Sequence, residues 1–148
     1  PVEQALRDAR VLSVFEGTSG IQAIDLLHRR VIRDDAGLQA FLAQARADGG
    51  ETPLARCLDL LEAAASGLKS VSSADQDAGA TAFLELAMLA SAGWVSARFV
   101  ATAGDDEASA RMRAAGGYWL DRIEARAALY HAESVQGATP LVHFEAFA

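Results

Sequence analysis

The chain has 148 residues, of which 51% are hydrophobic, 22% charged and 7% aromatic, as expected for one globular domain that can bury its own core. Thirteen Lys and Arg against 20 Asp and Glu give a net charge of −7, which argues against nucleic-acid binding because such proteins carry a basic face. The single cysteine excludes an internal disulfide and fits a reducing compartment, so we expect a cytoplasmic protein.

No targeting or membrane-spanning segment is predicted. The sequence opens at Pro1 without an initiator methionine or a signal-peptide pattern, and we expect it to be a piece of a longer polypeptide. The longest apolar stretch, residues 82–103, contains Glu85 and Arg98, and charges at a bilayer centre are costly. We therefore predict a buried helix of a bundle in this stretch.

The first predicted elements are two helices joined by a short loop. The pattern of apolar residues predicts a helix over 2–14 and a loop over 15–18. Ser19 is a predicted N-cap, and Gln22 follows it at the spacing of a capping box. The helix that starts there is expected to be interrupted at residues 34–35, after which helical spacing resumes.

Glycine, proline and short polar stretches divide the rest of the chain. The Gly-Gly-Glu-Thr-Pro segment at 49–53 combines a helix C-terminal signal with an N-terminal one. The following helix has a predicted apolar seam of Leu54, Leu58, Leu61, Ala65 and Leu68. A polar break is predicted over 70–77, a central helix over 78–103 and a turn over 104–106. The last helix, ending by Gly137, has a predicted buried stripe of Met112, Ala115, Trp119, Ile123, Ala127 and Tyr130.

These elements predict an all-α fold. Residues 37–135 supply four helical segments with short connections, and short connections favour antiparallel neighbours. The expected architecture is an up-and-down four-helix bundle. Gly116-Gly117, inside the last helix, is expected to permit close helix packing rather than to form a phosphate loop.

Residues 7–22 carry the most specific motif, with the sequence RDARVLSVFEGTSGIQ. The run resembles the end of the catalytic region in flavin-dependent acyl-CoA dehydrogenases, where an Arg-Asp-Ala helix and an aromatic residue precede Glu-Gly-Thr at the start of the next helix. The resemblance covers residues 1 to about 32. The rest resembles, more loosely, the helical bundle appended to longer members, such as the methylmercaptopropionyl-CoA dehydrogenase-like group. It implies a boundary between the end of the catalytic helical domain, 1–36, and an appended bundle, 37–148.

The resemblance implies a role for each residue of the Glu-Gly-Thr loop. Glu16 corresponds to the base that takes the α-proton of an acyl-CoA thioester, which becomes a 2,3-enoyl-CoA. Gly17 lies at the substrate-binding position, and Thr18 and Gly20 match positions that contact FAD. Gly20 departs from the family, which often has glutamine there. Electron-transfer flavoprotein is the implied partner, and fatty acid metabolism the implied context.

The resemblance also implies what the 148 residues lack. The family builds its flavin site mainly from an N-terminal helical domain, a middle β-domain and earlier helices. The chain alone is therefore expected to be inactive, and its uncovered first helices are expected to dock on their own domain or a second copy, giving a homo-oligomer.

Residue chemistry without the resemblance allows other interpretations. Glu16 could be a solvated carboxylate near a helix N-terminus, and Thr18 and Ser19 could be structural caps. The chain would then be a stand-alone helical interaction module without catalysis. No metal site is expected, because His28, His131 and His143 lack ligand-like spacing with acids or with Cys57. Cys57 itself is a predicted buried hydrophobe.

Overall fold

The structure, a computed structural model, describes residues 2–10, 19–49 and 53–139, and these form helices without any strand. The helices are α1 (Val2–Arg10), α2 (Ser19–Leu27), α3 (Ala36–Gly49), α4 (Pro53–Leu68), α5 (Ser73–Thr102) and α6 (Glu107–Ser134). A π-helical turn, His28–Ile32, extends α2. The all-α prediction is confirmed. Residues 11–14 of the predicted first helix lie outside the described residues.

Cross-helix contacts fix the direction of α3 and α4. Lys69, just after α4, pairs with Asp35, just before α3, at 2.6 Å between Nζ and Oδ2. Arg46, near the end of α3, contacts Asp59 and Glu62 in the middle of α4 at 3.1 and 2.8 Å. The two helices therefore run antiparallel.

Glycine contacts fix the direction of α4 and α6 relative to α5. Near the start of α5, Gly79 lies against Leu68 at the end of α4 and Ser134 at the end of α6. Farther along α5, Gly93 lies against Leu54 at the start of α4 and against Ile123. Helices α3 to α6 thus alternate in direction, as an up-and-down four-helix bundle requires.

Helix α5 lies at the centre of the fold and packs against α2, α3, α4 and α6. Its Phe83, Leu86 and Leu89 are buried, in agreement with the predicted central helix, whereas Val95 is exposed. The predicted seam of α4 is confirmed, because all five members are buried: Leu54, Leu58, Leu61, Ala65 and Leu68. Among the described residues there is one helix, α5, that is long enough and apolar enough to cross a membrane, judged by length and composition only. Its packing here is that of a bundle helix.

The predicted break at 70–77 is too long, because α5 already begins at Ser73. The Ser72 hydroxyl accepts the Asp75 N–H at 3.3 Å and donates to the Asp75 carboxylate at 2.6 Å. Such reciprocal bonds satisfy backbone donors that a helix start leaves free. The polar residues at 73–77 are thus the first turn of the helix rather than a loop.

Asp75, in the first turn of α5, also bonds to the segment that follows the end of α6. Its Oδ1 accepts the Ala138 N–H at 2.8 Å, beyond the end of α6. This bond and the Ser72 hydroxyl hold the pKa of Asp75 below its ordinary value of 3.8. A lowered pKa stabilises the fold above that ordinary value, and the contribution disappears as the pH falls through the folded-state pKa.

We expect Asp75→Asn to lower the free energy of unfolding at neutral pH, and the deficit to shrink as the pH falls below 3.8. Urea unfolding at several pH values measures both effects. Asp121→Asn is the matched control on an exposed face of α6, and we expect it to change neither. A deficit for Asp75→Asn that stays constant with pH would contradict this assignment.

The buried stripe of α6 differs from the prediction in its first half. Ile123 and Ala127 are buried as expected, and Trp119 and Tyr130 are partly buried. Met112, which is 43% exposed, and Ala115 lie outside, and Gly116 and Leu120 lie inside instead. The reason is close backbone approach, since a Cβ on Gly116 would lie 2.8 Å from Val100 Cγ2 of α5. The predicted role of this glycine in helix packing is confirmed.

Candidate functional site

The segment that carries the predicted active site connects α1 to α2. Glu16, Gly17 and Thr18 lie outside the described residues. Gly20 lies in α2 and is exposed, with no other described residue within 4 Å of where its Cβ would be. Ser19 is already helical rather than the expected N-cap, and the residue before it lies outside the described residues.

The second half of α2 is anchored to the bundle. Ala23 and Leu27 are fully buried, and Val31 of the π-helical turn joins them in the core shared with α3 to α6. His28 Nε2 lies 2.7 Å from Asp77 Oδ1 at the start of α5, and Arg29 donates to Asp25 at 3.0 Å. The core and these polar contacts hold α2 in place, and its first turn projects from the bundle.

Apolar side chains on α1 and on the first half of α2 are uncovered. Residues 3–10 of α1 are all exposed, and Leu6 shows 66% of its surface. On α2, Ile21 is 66% exposed and Ile24 is 40% exposed. Large exposed apolar side chains can mark positions that another protein segment covers. Each of the two helices that flank residues 11–18 carries such side chains.

The other reactive side chains have structural roles. Cys57 is fully buried, and burial raises the pKa of its thiol to about 12, so it stays protonated at neutral pH and is a poor nucleophile. This agrees with the predicted packing role. Across the described ranges no group of three or more His, Cys, Asp or Glu residues could hold a metal ion. His143 lies outside those ranges.

The two tryptophans differ in how their indole N–H groups are satisfied. Trp94 Nε1 donates to Asp48 at 2.9 Å, the Arg98 guanidinium lies 5.4 Å from its ring, and Phe41 meets it edge-on at 5.8 Å. Trp119 Nε1 is buried without a hydrogen-bond partner. Both tryptophans pack against the core of the bundle, as predicted for Trp119.

Trp94→Phe is expected to lower the free energy of unfolding by about 1–2 kcal/mol, because it removes the bond to Asp48 and weakens the contact with Arg98. Trp119→Phe is expected to cost less, because it removes a buried donor that has no acceptor. Denaturant unfolding followed by circular dichroism compares the two. A larger loss for Trp119→Phe would contradict these assignments.

Comparison with known proteins finds short stretches of high similarity. Over 33 residues the chain is 61% identical to 3-methylmercaptopropionyl-CoA dehydrogenase of Ruegeria pomeroyi, which covers 22% of this chain and 6% of that protein. Over 34 residues it is 50% identical to broad-specificity linear acyl-CoA dehydrogenase FadE5 of Mycobacterium tuberculosis, which covers 23% of this chain and again 6% of the relative.

No family model matches the chain, and no solved structure matches it. The matched stretches are far shorter than either relative. They are nevertheless similar enough to two dehydrogenases that part of this chain is related to acyl-CoA dehydrogenases.

Proposed function

We propose that the chain is the C-terminal portion of an FAD-dependent acyl-CoA dehydrogenase that oxidises an acyl-CoA thioester to the 2,3-enoyl-CoA. The observation that carries this proposal is the 61% identity over 33 residues to 3-methylmercaptopropionyl-CoA dehydrogenase of Ruegeria pomeroyi. Residues 1–36 are assigned to the end of the catalytic helical domain and 37–148 to an appended bundle.

In this proposal Glu16 is the base. Its carboxylate takes the proton from the α-carbon of the thioester, and burial by the rest of the enzyme would bring its pKa towards the working pH. Gly17 lets the substrate approach the backbone closely, and the Glu16 N–H donates to the thioester carbonyl, which stabilises the developing negative charge.

Thr18 and Gly20 are the residues proposed to hold FAD, which supplies the hydride acceptor when bound. No other described residue lies against the Cβ position of Gly20 in α2, which would leave room for a large planar group beside this part of the helix. Most of the cofactor contacts would come from other parts of the enzyme, so the 148 residues alone are proposed to be inactive.

The uncovered apolar residues on both sides of the loop support a second part of the proposal. Leu6, Ile21 and Ile24, all exposed here, would be covered by the remainder of the dehydrogenase. The complete protein is proposed to be a cytoplasmic homo-oligomer that passes electrons to electron-transfer flavoprotein.

The natural polypeptide tests the proposal directly. An antibody raised against this chain would isolate the protein from its source cells, and mass spectrometry and visible absorption would then be measured. We expect a polypeptide several times longer than 148 residues, with oxidised-flavin absorption that bleaches when an acyl-CoA is added. A polypeptide of 148 residues without flavin would instead indicate a stand-alone helical interaction module.

A further inference from the structure

A groove of about 260 Å³ lies between α2, α3, α4 and α5. Its apolar lining consists of Leu26, Val31, Leu38, Phe41, Leu61, Phe83 and Ala87. Leu61 and Phe83 are fully buried and form the floor, whereas Leu26, Leu38 and Phe41 are half-buried and form the walls. An apolar cavity of about 150 Å³ can already hold a benzene molecule. The groove is therefore large enough for a small apolar ligand.

The charged residues at the groove differ in what they contact. Arg30 and Asp34 both line it and are both exposed, which places them at its mouth. Asp34 accepts the Ala36 N–H at 3.1 Å, so its carboxylate is engaged at the start of α3. Within the described part of the chain, Arg30 makes no hydrogen bond or ion pair. The mouth thus carries two opposite charges beside an apolar channel: the Arg30 guanidinium, which has no partner among the described residues, and the Asp34 carboxylate, which is held at the start of α3.

The local backbone supports a binding role for this groove. Arg30 and Val31, which line it, belong to the π-helical turn His28–Ile32. Such turns are rare and frequently occur at functional sites. The turn places a cation at the mouth and Val31 in the apolar wall, and both belong to one short segment.

We propose that the groove binds an aliphatic monocarboxylate, with the chain between α2 and α3 and the carboxylate at Arg30. Benzene, with six carbons, fits a cavity of about 150 Å³. At the same volume per carbon, a groove of 260 Å³ holds a chain of roughly eight to ten carbons. Opposite charge selects the carboxylate over a neutral compound of the same length. The groove shares no lining residue with the proposed dehydrogenase site, and its ligand does not depend on that assignment.

Trp94 provides the readout for a binding experiment with the full 148-residue chain. Phe41 lines the groove and meets the Trp94 ring at 5.8 Å, so a ligand beside Phe41 changes the surroundings of Trp94. The Trp119→Phe background leaves Trp94 as the sole tryptophan. Hexanoate, octanoate and 1-octanol are titrated, with calorimetry as a second measurement.

Saturable binding of octanoate is expected, tighter than that of hexanoate by about fourfold per added CH₂. Octanoate is expected to bind about three- to fivefold more tightly than 1-octanol. Arg30→Gln should remove that preference and leave 1-octanol binding unchanged. Equal binding of octanoate and 1-octanol to the parent protein would overturn the proposal of a carboxylate ligand.

Gly37→Leu tests the location of the ligand. Gly37 lines the groove, and no atom lies within 4 Å of its Cβ position, so the new side chain would occupy the mouth without disturbing α3. We expect loss of octanoate binding. Gly117→Leu is the matched control on α6, where the Cβ position is equally open, and should bind normally. Unchanged binding in Gly37→Leu, or no binding to the parent protein, would overturn the proposal.

Discussion

Glu16→Gln in the complete natural polypeptide is expected to lower the rate of acyl-CoA oxidation by about 10²–10⁴-fold, the range that a positioned general base contributes. Glutamine has nearly the same shape but cannot take the α-proton. FAD content is expected to stay unchanged, since the proposed cofactor contacts come from Thr18, Gly20 and the rest of the enzyme. Stopped-flow measurement of flavin bleaching with acyl-CoA gives the rate of the chemical step.

Glu3→Gln is the matched control for this prediction. Glu3 is an exposed carboxylate on α1 that pairs with Arg7 at 3.5 Å, so its replacement removes one negative charge from the same segment. We expect wild-type turnover from this variant. If Glu16→Gln bleaches its flavin at the wild-type rate, Glu16 is not the base, and the interpretation of the loop as a helix cap is favoured.

Gly79→Ala is expected to destabilise the bundle by about 3 kcal/mol, although alanine is the better helix former. A Cβ on Gly79 would overlap the backbone carbonyl oxygen of Ser134 and lie 3.1 Å from Leu68 Cδ2. The clash with a backbone atom cannot be relieved by a rotamer change, so α6 would have to move away from α5. Urea unfolding measures the loss, and the midpoint is expected to fall without a change in the secondary structure.

Gly117→Ala is the comparison that isolates packing from helix propensity. Gly117 also lies in a helix, but no atom is within 4 Å of its Cβ position. We expect this variant to be more stable than the wild type by about 0.5–1 kcal/mol. Equal effects of the two substitutions would show that the contact between Gly79 and Ser134 does not limit the approach of α5 and α6.

The parts of the fold predicted correctly are those where one physical signal dominates. The leucines at helical spacing after Thr-Pro predict both the start and the buried face of α4. The break at Asp34-Asp35 is also predicted correctly, because acidic residues interrupt the apolar pattern there, and Asp34 then accepts the Ala36 N–H at the start of the next helix.

The errors arise where long-range contacts override local pattern. The polar residues after Ser72 look like a loop, yet Asp75 is satisfied by Ser72 and by Ala138, which is 63 residues away. The first half of the buried stripe of α6 lies on a different face from the predicted one. Gly116 is buried there, but a glycine has no side chain and so does not contribute to a hydrophobic pattern. The candidate base Glu16 is predicted from a motif alone. The groove at Arg30 is not predicted from the sequence, because its lining residues come from four separate helices.

The π-helical turn has a consequence for changes in chain length. Each residue of an α-helix advances the direction of the side chains by about 100°. A deletion or insertion between His28 and Ile32 would therefore turn the face of α2 that carries Ala23 and Leu27 away from the core, unless the π-helical turn itself absorbs the change. The number of residues in this turn thus sets which face of α2 is buried against the bundle.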